Sequence, residues 1–170
     1  MVDFQVRVPG SSRRGFTLIE MLVVSAIIGI LVAMAASNMR SVMNRSRQKR
    51  SMADMRTLAL GVDAFATDQN RFPAAAGYAL PSGLSLPTAT ICTILPAITP
   101  TYLRSVPLVD GWSSWFTYAT DGANANYAIR SNGADGLPEA SPPFGETHSF
   151  AADIILVNGS FVQYPDGFQR

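Results

Sequence analysis

Residues 13–39 read RRGFTLIEMLVVSAIIGILVAMAASNM, an apolar run introduced by Arg13 and Arg14 and interrupted by one charge, Glu20. A helix rises about 1.5 Å per residue, so residues 16–39 would span roughly 36 Å, enough to cross a hydrocarbon core of about 30 Å with some tilt. By length the run is a membrane segment. Its carboxylate is the informative residue, because an ionised acid costs about 2.5–3.5 kcal/mol at the centre of such a helix and less toward the interface. The pattern calls for a compensating charge. A removable secretory signal has a shorter apolar core, about 7 to 15 residues, followed by a small-residue cleavage site. Ala33, Ala35 and Ala36 match such a site only weakly. Two readings follow: a signal anchor whose Glu20 snorkels to the interface, or a segment processed in front of the apolar run, between Gly15 and Phe16.

The second reading carries a family resemblance. RGFTLIE followed by an apolar helix resembles the prepilin signature of type IV pilins and of type II secretion pseudopilins, in which a cytoplasmic-face peptidase cuts after the glycine. The resemblance implies removal of residues 1–15 as a leader, a mature chain beginning at Phe16 with its amine methylated, and subunits stacking helix to helix into a filament. Glu20 of one subunit would then meet the terminal amine of its neighbour. An opposite charge within a few ångströms offsets the desolvation of both groups.

Outward from this segment, charge is distributed unevenly. Residues 1–56 carry nine basic and three acidic side chains, and residues 57–170 carry four and nine. A basic stalk and an acidic head suit assembly of one copy on another, or a stalk lying near anionic lipid headgroups. Arg40, Arg45, Arg47, Lys49 and Arg50 follow the apolar run closely. A count of flanking positive charges therefore opposes an exported head, and the prepilin motif is given precedence over it. A little over 100 residues remain for the head, the usual size of one domain.

The helical pattern runs on from Phe16 to about Thr67 with no proline to interrupt it. Met52, Met55, Leu58, Ala59, Val62, Phe65 and Ala66 recur at steps of three and four, predicting a face packed on a sheet. Pro73 ends the helix, and FATDQNRFP resembles the end of the long helix in type II secretion major pseudopilins through Phe65, Asp68, Arg71, Phe72 and Pro73. The chain departs from the family at Ser37, where a proline is common. It also has one cysteine, Cys92, so the cysteine pair that closes a loop in many type IV pilins cannot form, which tilts the resemblance toward a pseudopilin.

Pro81, Pro87, Pro96 and Pro100 exclude a long helix between 74 and 100, leaving room for a short one around Thr90 to Leu95. YLRSVPLVDGWSSWFTY resembles the pseudopilin segment in which a proline, an aspartate and a tryptophan precede a strand; Pro107, Asp110, Trp112, Phe116 and Tyr118 match. A strand over 115–119, a turn at Asp121 and Gly122, and an antiparallel return over 126–130 follow from the alternation. The aromatic side chains are read as core. The end of the chain predicts a hairpin, 154–157 and 160–164, joined by Asn158 and Gly159.

Between these strands lies SNGADGLPEASPPFGETHSFAADI, similar to the calcium-binding loop of major pseudopilins. The resemblance implies Asp135 and Asp153 as carboxylate ligands, with Ser131 and Asn132 supplying oxygens nearby. Calcium requires about six to eight hard oxygen donors on a flexible loop. The departures are LPEASPPFG in place of a glycine-rich middle and Ala151 where some members carry an acid. Glu139 and Glu146 have no family counterpart, and a turn held by hydrogen bonds alone is the competing reading. His148 is expected as an exposed loop residue.

Nothing in the chain pairs a nucleophile with a base, builds a phosphate loop or clusters histidines, so catalysis is not expected. The acidic head argues against nucleic acid. The expected architecture is α+β and pilin-like: leader 1–15, transmembrane helix half 16–39, amphipathic periplasmic helix half 40–73, and head 74–170 with a small antiparallel sheet. The resemblance implies a single-pass inner-membrane protein with its head in the periplasm. It would form a homo-oligomeric helical filament, cut by a prepilin peptidase and assembled with other pseudopilins on an inner-membrane secretion platform. Such a pseudopilus drives protein export across the outer membrane. A type IV pilus subunit for adhesion, motility or DNA uptake, and a monomeric membrane-anchored binding domain, are the alternatives.

Overall fold

A computed structural model describes residues 15–75, 89–140 and 142–167, with residues 36–38 described by their backbone alone. The leader up to residue 14, Pro81, Pro87 and the side chain of Ser37 lie outside the described residues. Helix α1 spans Leu18–Gln69. Two compact units follow one another along the chain, the first ending at Met39 and the second running Arg40–Arg170.

In the first unit every apolar side chain from Phe16 to Met34 is exposed within the chain. Intrahelical hydrogen bonds satisfy the backbone, so the uncovered surface is apolar all round, as a lipid-facing or subunit-facing helix requires. In the second unit the rest of α1 buries one stripe. Met55, Leu58, Ala59 and Val62 are in the core, with Met52 and Phe65 packed at its margin.

The stripe packs with the sheet side chains Phe116, Tyr118, Tyr127, Ile129, Ile154 and Leu156 in one core. Strands β1 (Ala89–Thr90), β2 (Thr117–Thr120), β3 (Tyr127–Ser131), β4 (Gly145–Thr147), β5 (Ile154–Val157) and β6 (Ser160–Pro165) form one sheet in the order β1-β2-β3-β5-β6-β4. The anticipated sheet was antiparallel; β4 instead runs parallel to β6 at one edge, so the sheet is mixed. The pairing arises because the loop after β3 crosses past β5 and β6 before returning, which lets Gly145 pair with Gln163 and Thr147 with Pro165. The predicted hairpin is present, with Asn158 and Gly159 both at positive φ (47° and 80°), the conformation of a type I′ turn. Asn158 also accepts the Tyr127 N–H through Oδ1, tying the turn to β3.

The proline-rich connection forms a 3-10 turn, Ile91–Ile94, and a single helical turn α2, Leu95–Ile98. Ile91, Ile94 and Ile98 fill the core, while Cys92 is half-buried. The chain leaving α1 is fastened at three points: Phe72 N–H to the Asn124 carbonyl, Tyr118 Oη to the Pro73 carbonyl, and Ala75 N–H to Thr120 Oγ1. Burial holds the Tyr118 hydroxyl far above the ordinary phenol range, so it remains a donor. Of the aromatic residues expected in the core, Trp115 is 49% exposed. It pairs with Val109 in an isolated bridge outside β2, which leaves its indole at the surface.

Candidate functional site

Two stretches carry the residues singled out by sequence, and each is built by its own local physics. At the amino-terminal end, Gly15 and Phe16 are exposed and lie ahead of the helix. Thr17 caps the helix. Its Oγ1 accepts the Glu20 N–H at 3.3 Å, and its carbonyl accepts the Met21 N–H at 3.3 Å. Thr17 and Glu20 have the spacing of a capping box, in which a hydroxyl and an acid serve the first-turn N–H groups. An acid in the first turn also complements the helix dipole. Glu20 therefore has a local reason to sit where it does, besides any partner charge. The TLIE spacing carried this signal, and a reading fixed on membrane cost passes over it.

The second stretch joins β3 to β5. Its first turn is pressed against its last: Gly133, at φ 66°, faces the Ala151 and Ala152 carbonyls so closely that a Cβ would collide with them. Ala134 N–H donates to the Phe150 carbonyl at 2.8 Å. Asp153 is 0% exposed; its Oδ2 accepts the Glu139 N–H at 3.0 Å and lies 3.7 Å from Arg130 Nη1. Burial pushes the Asp153 carboxyl up to about 6, against the opposing pull of the Glu139 N–H and the Arg130 charge.

The four expected ligands are thus placed differently. Asp153 Oδ1 and Asn132 Oδ1 are buried acceptor oxygens with no hydrogen-bond partner among the described residues. Asp135 is exposed, and its Oδ1 caps its own turn at Leu137 N–H, 3.0 Å away. The Ser131 hydroxyl donates to Asp110 Oδ2 at 2.6 Å, so only its lone pairs remain for another partner. Among the described residues, no three His, Cys, Asp or Glu side chains gather into a metal cage. Buried carboxylate and amide oxygens are donor types that a hard cation takes. His148, expected as an exposed loop residue, is indeed exposed, and its Nδ1 stands 3.2 Å from Asp166 Oδ2.

Asp110 is the residue whose role sequence leaves unassigned. Nearly buried, it accepts the Trp112 and Ser114 N–H groups on Oδ1, both at 2.9 Å, and the Ser131 hydroxyl on Oδ2. The neighbouring Gly111 N–H donates to Ser51 Oγ on α1 at 2.9 Å, and a side chain at Gly111 would run into the Arg47 carbonyl. One carboxylate thereby joins the loop before β2 to β3, beside the point where that loop grips the helix. Glu139, spare by sequence, accepts the Gln163 amide at 2.8 Å.

A capped apolar helix, preceded by Gly15 and Phe16 and followed by an amphipathic half that buries its stripe with a small mixed sheet, defines a pilin-like membrane-anchored subunit. A model of the prokaryotic N-terminal methylation motif matches residues 10–36, and that of type II secretion system (T2SS) protein G matches residues 38–144. The chain belongs to the type II secretion system protein G family, and is a structural pseudopilin. It is 28% identical over 139 residues to a type II secretion system core protein G of Pectobacterium carotovorum subsp. carotovorum, covering 80% of this chain and 85% of that one. With the core protein G of Escherichia coli (strain K12) it shares 26% over 129 residues, 73% and 83% of the two chains. A type IV major pilin protein PilA of Myxococcus xanthus (strain DK1622) matches at 39% over 59 residues, 35% of this chain and 27% of the pilin. No solved structure matches significantly. Membership implies processing of the amino terminus and assembly with other pseudopilins.

Proposed function

We propose that the chain is cut after Gly15 by a prepilin peptidase, methylated on the Phe16 amine, and drawn from the inner membrane into a helical filament of identical subunits. The head stands in the periplasm, the apolar half of α1 rests in lipid until assembly, and the growing filament, built on the inner-membrane platform with other pseudopilins, moves folded proteins through an outer-membrane channel. The protein works by packing and not by catalysis. The observation that carries this reading is the surface of residues 16–34, apolar on every side and uncovered within its own chain. Glu20 is the only charge on it. A neighbour's helix covers such a surface, and a neighbour's terminal amine neutralises the acid.

Replacing Glu20 with alanine in the full-length chain tests it. Filaments seen by electron microscopy and export of substrate should both be lost, with the head still folded. Filaments of normal abundance from the variant, or a mature protein whose mass retains the leader, would overturn the reading.

Calcium belongs to the same reading. Asp153 and Asn132 would hold the ion from inside the loop, Asp135 from its exposed turn, and Ser131 through its lone pairs. The ion supplies charge neutralisation for a buried carboxylate and firms the loop for subunit contacts. A ligand bound only by the folded state raises its stability, so melting of the full chain should fall by several degrees in chelator. Identical melting with calcium and with chelator counts against the metal.

A further inference from the structure

Residues 40–50 read RSVMNRSRQKR, with five basic side chains and no acid. We propose that this stretch of α1 binds the phosphates of anionic phospholipids in the leaflet where the apolar half ends, and so ties the subunit to the membrane surface before assembly. The proposal rests on the apolar half lying in lipid, as inferred above. The exposure pattern carries it. Arg40, Arg47, Lys49 and Arg50 are exposed, while Gln48 and Ser51 are buried, Ser51 beneath the loop whose Gly111 N–H it accepts. At about 3.6 residues per turn, Arg40, Arg47 and Arg50 follow one another along one edge of the exposed face, and Lys49 lies on its other edge. Between those edges the surface is apolar, for Val42 and Met43 are both exposed.

An apolar strip flanked by cations suits a lipid–water boundary. The methylenes of lysine and arginine lie along the acyl edge while their charged ends reach the phosphates. The acids nearby leave most of this charge in place. Arg50 meets Asp54 at 3.5 Å in a pair one turn apart on the helix surface. Asp166 shares a groove with Lys49 and stands 3.2 Å from His148 Nδ1. Among the described residues no ion pair involves Arg40, Arg47 or Lys49. Charge complementarity thus names the occupant, and continuity gives its place, because Arg40 follows directly on the apolar run that ends at Met39. The acidic head of a second copy would match the charge too, but Val42 and Met43 in the same strip favour an acyl boundary over a solvated acidic surface.

The test uses full-length protein in phosphatidylcholine vesicles carrying a trace of spin-labelled phosphatidylglycerol or spin-labelled phosphatidylcholine, read by electron paramagnetic resonance. Lipid that touches the protein is restricted in its motion. The wild type should restrict phosphatidylglycerol at least about twofold more than phosphatidylcholine; each cation at the surface favours an anionic lipid about fivefold, diluted by lipids that touch only the apolar half. The triple variant Arg40→Gln, Arg47→Gln and Lys49→Gln should lose most of that preference. Equal restriction of both lipids by the wild type overturns the proposal, and cross-links from Lys49 to an acid of another copy would then give the strip to a second subunit. A preference undiminished in the variant overturns the assignment to these cations. No restricted population of either lipid overturns the membrane reading of the apolar half, and this proposal with it. If the variant does not fold, the wild type in about 0.5 M sodium chloride decides, since screening should remove most of the preference; an unchanged preference overturns the electrostatic contact.

Discussion

The two halves of α1 share a backbone and differ in what covers them. From Phe16 to Met34 the apolar side chains point all round and none is covered by the chain itself. Beyond Met39 the stripe of Met55, Leu58, Ala59 and Val62 is buried by the same molecule, with Leu58 at 0% exposure while Leu60, two positions on, is 70% exposed. A helix apolar on all sides needs a partner or a lipid, whereas a helix apolar on one side needs only a sheet. The first half stores binding surface, and the second anchors a head that can fold while the first waits.

If this division holds, damage to the head's clasp should unfold the second half's cover. The largest effect is expected from Asp110→Ala, which strips acceptors from the Trp112 and Ser114 N–H groups and the Ser131 hydroxyl. At about 1–3 kcal/mol for each abandoned buried donor, roughly 4 kcal/mol should vanish in urea unfolding of the full chain. A loss below about 1 kcal/mol would show that water replaces the carboxylate. Next, Leu58→Ala should cost about 3 kcal/mol through its cavity, and Leu60→Ala under about 0.5 kcal/mol. Comparable losses at both positions would erase the contrast between covered and uncovered faces.

The smallest effect is a pH slope. In the folded protein the Asp153 carboxyl ionises near 6, above its ordinary value of 3.8, so the folded state holds this proton more tightly than the unfolded chain. Its contribution is complete below the ordinary value, falls as pH rises toward 6, and is level beyond, at most about 3 kcal/mol in all. Asp153→Asn should flatten that part of the stability curve. A wild-type stability that rises across the interval would mean that the carboxylate is already fully compensated.

Much of this arrangement was legible residue by residue. Periodicity identified the buried stripe of α1, because a side chain's position around a helix depends only on its number. Asn158 and Gly159 identified the last hairpin, because few residues accept positive φ at two successive positions. The parallel β4 was not legible: three residues, Gly145–Thr147, have no period of their own, and their pairing depends on where the loop is carried. Asp110, Arg130 and Glu139 were likewise opaque, since each acts on a group 14 to 24 positions away that register alone brings near.

The linear order of residues determined the capped apolar helix, the lone acid upon it and the membership in a family, since these depend on neighbours within a few positions. Folding in three dimensions decided which oxygens lie buried without a partner and which cation faces Asp153. Those are properties of strand pairing, where side chains distant along the chain are forced to share one dry space and must settle their charges there.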